Sequence, residues 1–154
     1  MNITKQTNLA LRTLVYCAVR APKLARVSEV AAAYSVSELS LSKFIRPLVD
    51  SGMLATTRGR GGGIALARPA KDIKVRDVVE LTEESFALAE CFETGVADCP
   101  LVGSCDVNLM YTEALHAFMG VLGRYTIADL ARRELTLREL LGIEYEIAET
   151  VAAG

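Results

Sequence analysis

The sequence predicts a mainly α-helical chain with one small β-hairpin: a winged helix-turn-helix followed by a long dimerisation helix. Three observations predict it. Two short helical patterns, at 29–34 and from 35 to about 52, flank a tight turn, which is the helix-turn-helix arrangement. An Arg- and Gly-rich turn, Arg58-Gly59-Arg60-Gly61-Gly62-Gly63, then joins two short extended runs, as in a hairpin wing. Finally, an amphipathic stretch runs from Asp106 to Arg124.

The elements follow in order. Thr7 to Val19 carries Leu11, Leu14, Val15 and Ala18 at helical spacing. Ala21-Pro22 ends that helix, because a residue before proline is pushed out of the α region. Ser28 is expected to cap a short helix from Glu29 to Tyr34. Ser35 to Glu38 fits a capping box for the next helix, which runs through Leu39, Leu41, Phe44, Ile45 and Leu48 and stops near Gly52. Pro47 inside it predicts a kink or loose turn. Met53–Thr57 and Ile64–Ala67 form the two arms of the hairpin. Another short helix is expected over Asp72–Leu81, and a cysteine-bearing loop over about Glu90–Ser104. On the long helix Val107, Met110, Ala114, Leu115, Phe118, Val121, Leu122 and Tyr125 form one stripe, suited to pairing with its copy. Two short helices (Ala128–Arg133 and Thr136–Leu141) lead to an acidic tail.

Charge is divided unevenly. Residues 1–76 carry thirteen Lys or Arg against four Asp or Glu, a net +9. Residues 77–154 carry four against fifteen, a net −11. A basic half fused to an acidic half points to a polyanionic partner for the first half. In a helix-turn-helix the second helix lies in the major groove of double-stranded DNA, with its N-terminal residues at the base edges. Those residues are Ser37, Ser40 and Lys43, with Arg46 one turn on. Arg58 and Arg60, set among glycines, suit a narrow minor groove. Nucleotide-binding loops are excluded: no Lys-Ser/Thr follows the glycines, and Ile64-Ala65-Leu66 reads as a strand where a dinucleotide loop needs a helix.

No apolar run approaches the ~20 residues of a membrane span. Met1 to Gln6 lacks a signal-peptide pattern. The chain is therefore expected in the cytoplasm, where cysteines stay reduced and spaced ones serve metals or catalysis. Cys17 sits among apolar residues of the first helix and reads as a small core side chain. The other three are spaced Cys91-x7-Cys99-x5-Cys105, with no Cys-x-x-Cys. Three thiolates within fifteen residues can converge on one centre, and iron–sulfur clusters favour thiolates. A three-thiolate shell leaves one position open and the centre labile. Structural zinc with a fourth ligand, or three unligated thiols, are the alternatives. An enzyme using Cys91 or Cys105 as nucleophile needs a base within reach. The one histidine, His116, lies about three helical turns from Cys105, so no enzyme is expected.

These residues resemble the winged-helix iron–sulfur regulators of the IscR, NsrR and RirA type, over nearly the whole chain. The resemblance is carried by Ile3-Thr4, the Val36-Ser37 helix start, the wing 58–63 and the cysteine triplet. It is closest to the RirA type, the iron-responsive repressors. The matching stretches are Thr4–Asn8, Ala33-Tyr34, Val36–Leu39, Ser85–Ala87, Ala89–Glu93, Cys99–Val102 and Ser104-Cys105. The run Arg124–Leu130 is similar to the nitric-oxide-sensing NsrR type as well.

The resemblance implies a homodimer on a palindromic operator, repressing while its cluster is intact. The cluster is held by Cys91, Cys99 and Cys105, as [4Fe–4S] in the RirA and NsrR types or [2Fe–2S] in the IscR type. Asn8 stands where some NsrR proteins have an Asp ligand, and Asn108 where the IscR type has a His. The fourth ligand is thus open among Asn8, Asn108, Glu83, Glu84, Glu90, water or a small thiol.

The organisation this implies is a DNA-binding domain at 1–80 and a cluster-binding loop region at 81–105. The dimerisation helix and C-terminal helices occupy 106–142, and a flexible tail 143–154. The expected function is repression of iron-responsive genes according to iron status, with oxygen as a possible second signal. A nitric-oxide-sensing repressor and a cluster-free thiol redox switch on DNA are the alternatives.

Overall fold

A computed structural model describes residues 3–89, 100–101 and 104–144. In chain order it contains α1 (Lys5–Arg20), α2 (Val27–Ala33), α3 (Glu38–Asp50), β1 (Leu54–Thr57), β2 (Gly63–Leu66), a 3₁₀ turn (Ala70–Asp72), α4 (Val75–Thr82), α5 (Asp106–Leu122), α6 (Ile127–Leu130) and α7 (Glu134–Leu141). The expected mainly helical chain with one hairpin is what forms.

α1 is the central post. Its N-cap is Thr4, whose hydroxyl accepts from the Thr7 amide at 3.2 Å. α2, α3, the hairpin and the C-terminal helices surround it, and Leu14 of α1, Phe44 of α3, Ile64 of β2, Ile73 and Ile127 belong to one buried cluster. The segment after α5 returns to this body: the Ile127 amide donates to Ile73 O at 2.9 Å and the Val75 amide to Tyr125 O at 3.0 Å. Residues before and after the cysteine region therefore share a core. Among the described residues no helix is long and apolar enough to cross a membrane.

Two caps differ from the sequence expectation. The N-cap of α2 is Arg26, not Ser28. Glu29, three residues on, accepts from the Arg26 amide at 2.9 Å and also meets Arg20 of α1 at 3.2 Å. A carboxylate there answers both the free amide and a neighbouring guanidinium, which a serine hydroxyl cannot. Likewise Ser37, not Ser35, caps α3, its Oγ accepting from the Ser40 amide at 3.2 Å. Ser35 instead takes a left-handed conformation (φ 52°) that turns the chain between the two helices. α3 runs on through Pro47 to Asp50.

The hairpin pairs Leu54 with Leu66, Ala55 with Ala65, Thr56 with Ile64 and Thr57 with Gly63, antiparallel. Ala25 bridges to Ile64 through two backbone bonds of 2.8 and 2.9 Å, fixing the wing to the α1–α2 connection. That approach explains Gly63, where a Cβ would stand 2.5 Å from the Ala25 carbonyl oxygen.

A candidate DNA-reading face and a cysteine at the head of the long helix

The inward face of α3 is Leu41, Phe44 and Leu48, all fully buried. This stripe fixes the helix's rotation and turns the opposite face to solvent. Lys43 and Arg46 stand on that exposed side. Arg46 Nε lies 2.8 Å from both carboxylate oxygens of Asp50, one turn along. This exposed pair contributes little stability, but it holds the guanidinium against the helix, ready for an acceptor. Ser37 and Ser40 are joined by a 2.8 Å hydroxyl–hydroxyl bond, with Ser37 occupied as the cap. Arg58 and Arg60 are exposed on the wing. Gly59 and Gly61 beside them have φ of 100° and 81°, conformations glycine adopts without strain. The structure thus brings helix and wing cations onto exposed positions of one module.

Two outward residues of α3 were missed by the sequence reading, Leu39 and Ser42. The signal was present, since Leu39 is two positions from Leu41 and so about 200° around a 3.6-residue helix from the buried stripe.

Of the three spaced cysteines, Cys91 and Cys99 lie outside the described residues. Cys105 is half-buried and is the N-cap residue of α5, its carbonyl accepting from the Asn108 and Leu109 amides at 3.1 and 3.2 Å. A helix N-terminus carries partial positive charge and favours anionic groups. A thiolate-bound iron centre fits that position and donor type. Asn108 is half-buried in the first turn of α5. Asn8 is exposed on α1, beside a hollow lined by Ile3, Thr4, Lys5, Leu9, Arg12 and Val36. Glu90 lies outside the described residues. Among those described, no three His, Cys, Asp or Glu side chains converge on a metal position.

Glu83 is already engaged. It accepts from the Thr4 amide at 2.8 Å and from the Thr4 hydroxyl at 3.1 Å. Desolvation pushes its carboxyl upward, but bonds from Thr7 and Thr4 outweigh this and hold it below the usual carboxylate value. Beside it, Thr82 Oγ1 meets Thr7 Oγ1 at 2.8 Å within the core. The end of α4, where the chain enters the cysteine region, is thereby tied to the start of α1. Cys17 is the opposite kind of cysteine: it is 3% exposed, and burial pushes its thiol up to about 12. It is a core side chain, as its sequence context indicated.

Helix-turn-helix, basic wing and cationic outward face together define a winged-helix DNA-binding transcriptional regulator. The chain belongs to the Rrf2 family, described as "Iron-dependent Transcriptional regulator", whose model matches residues 3–133. It is 50% identical over 153 residues to protein aau3 of Rhizobium meliloti, covering 99% of each chain. It is 37% identical over 145 residues to the HTH-type transcriptional regulator NsrR of Oceanobacillus iheyensis, covering 94% of this chain and 99% of that one. Among solved structures, oxidised Staphylococcus aureus CymR matches with a TM-score of 0.69 at 23% identity, over 85% of this chain and 96% of that one. T. potens IscR matches with a TM-score of 0.69 at 20% identity, over 86% and 88%. At such identities these structures speak for the fold.

Proposed function

We propose that this protein is an iron–sulfur-cluster-dependent repressor that binds a palindromic operator as a homodimer and reports iron status to iron-responsive genes, in the manner of the RirA type. One observation carries it. Cys105, the last of the cysteine set, heads α5, and α5 is the long helix on which Val107, Leu109, Met110 and Val121 stand exposed among the described residues. A centre held there sits at the root of the surface that would join two copies. On its other flank the cysteine region leaves α4 at the Thr82–Glu83 contacts with α1. A change in the cysteine region thus bears on both the dimer helix and the DNA-binding core.

Cys91, Cys99 and Cys105 would hold the cluster, with [4Fe–4S] the favoured form and [2Fe–2S] the alternative. Asn8 and Asn108 are the candidates for the fourth position. When bound, the cluster supplies an iron centre whose persistence depends on iron supply, oxygen and nitric oxide. The chain's residues do the rest. Lys43, Arg46, Arg58 and Arg60 meet the DNA, Ser37 and Ser40 present hydroxyls at the helix start, and α5 joins the copies.

The NsrR names among relatives near 37% identity favour a second reading, a nitric-oxide-sensing repressor. The three spaced cysteines also allow a third, a cluster-free thiol switch. Replacing Cys91, Cys99 or Cys105 by Ala should remove bound iron and operator binding together. A variant that loses its iron yet binds DNA like wild type would overturn cluster gating. Reversible disulfides in iron-free wild type, with matching changes in DNA affinity, would favour the thiol switch.

A further inference from the structure

Leu39 is 74% exposed in the first turn of the DNA-reading helix. It lies outside the buried stripe of α3 and forms part of an apolar patch rather than a lone exposed side chain. It borders a hollow of about 680 Å³ between α3, the start of α2 and the wing strand, together with Val27, Ser42, Ile45, Val49 and Thr56. The Ser42 hydroxyl donates to Leu39 O at 2.8 Å, so its proton is used within the helix. The floor of this hollow is therefore mainly apolar.

The surroundings decide what can occupy it. Lys43 and Arg46 are exposed on the same helix, and Arg58 and Arg60 on the wing, so the face as a whole draws a polyanion. The rim of the hollow itself carries Glu38 and the Arg46–Asp50 ion pair, in which the two charges offset each other. A phosphate set on the apolar floor of Val27, Leu39, Ile45 and Val49 would lose hydration without gaining a partner there, whereas an apolar group on a base edge fits it. In the major groove one base presents an apolar group, thymine with its 5-methyl. The geometry points to Leu39 as a specificity residue that receives a thymine methyl in each half-site of the operator. This rests on the DNA-binding reading above and names one base that reading left open.

The test begins by selecting duplexes from a randomised DNA library with the full chain carrying its reconstituted cluster. Each thymine of the most enriched duplex is then replaced in turn by deoxyuridine, which lacks only the methyl group. Wild type should lose about fourfold affinity at one thymine per half-site, which corresponds to ~0.8 kcal/mol for one buried methyl-sized group. Leu39→Ala, at an exposed position, should keep the wild-type circular dichroism spectrum. It should bind the thymine duplex about as weakly as wild type binds the uracil one, and should not distinguish the two. Wild type indifferent to every uracil, or Leu39→Ala still sensing the methyl, overturns the assignment but leaves operator binding standing. Unchanged affinity of Leu39→Ala on every duplex would instead assign the hollow to another ligand. Failure to enrich any duplex would remove operator recognition and this inference together.

Discussion

α1 and α5 are nearly equal in length, sixteen and seventeen residues, yet α1 buries eight residues and α5 only Met119. The difference does not come from composition. α5 carries Val107, Leu109, Met110 and Val121, all at least 42% exposed, whereas Leu14 and Val19 of α1 are at most 1% exposed. α1 is enclosed by the rest of its own chain. Among the described residues α5 is touched mainly by α4, and its Val107, Leu109, Met110 and Val121 stay exposed. A helix apolar beyond the face its own chain covers is suited to a second surface. Stability resides around α1, and association is expected along α5.

Leu14→Ala should cost about 2–5 kcal/mol, because it empties a fully buried site against α1's neighbours. Leu109→Ala should change unfolding of the separated subunit by less than about 0.5 kcal/mol. Urea unfolding of both variants at low protein concentration tests the contrast, and equal losses would erase it. Met110→Glu should weaken self-association about 100-fold, since it places an unpaired charge in the proposed interface. Sedimentation at several concentrations reads that shift, and an unchanged association constant would place the dimer contact elsewhere.

Smaller effects sharpen the account of the DNA-reading half. Arg58→Ala or Arg60→Ala should weaken operator binding by roughly 1–3 kcal/mol if the arginine reads a base. If it meets only phosphate, the affinity loss should be similar across sequences, with a shallower salt dependence. Unchanged affinity in both variants would take the wing out of recognition. Ser37→Ala should cost about 1 kcal/mol of stability through loss of the α3 cap. Least is expected of Glu83→Gln. The Glu83 carboxyl titrates below its ordinary value in the folded chain, so its contribution is present above the unfolded-state value and lost as pH falls through the folded one. The variant should therefore show a slightly flatter fall in stability on acidification, measured by unfolding at stepped pH.

Much of the fold was legible in the sequence because it rests on periodicity and turn chemistry. The stripe Leu41, Phe44, Leu48 set α3, and the glycine turn set the wing. The caps were read less well. Ser28 and Ser35 both have capping chemistry, but the choice fell to Arg26 and Ser37 through contacts that a local pattern does not contain, such as Glu29 meeting Arg20 of α1. The same holds for Glu83. Its tie to Thr4 spans 79 residues and became visible only once α1 and α4 were packed together. At the DNA face the cations could be named from sequence. Leu39 belongs to the apolar run of α3 in sequence, but its phase sets it on the opposite side from Leu41, Phe44 and Leu48. For the cysteines, spacing gave the set and the structure gave Cys105 its place at the head of α5.

The central claim is that these cysteines hold an iron–sulfur cluster that controls DNA binding. Purification without oxygen, followed by iron and sulfide analysis, tests it most directly. The account predicts a coloured protein with about four iron and four sulfide per chain, both lost in Cys105→Ala. A colourless protein that takes up neither on reconstitution would contradict it, leaving a winged-helix regulator whose cysteines hold zinc or act as thiols.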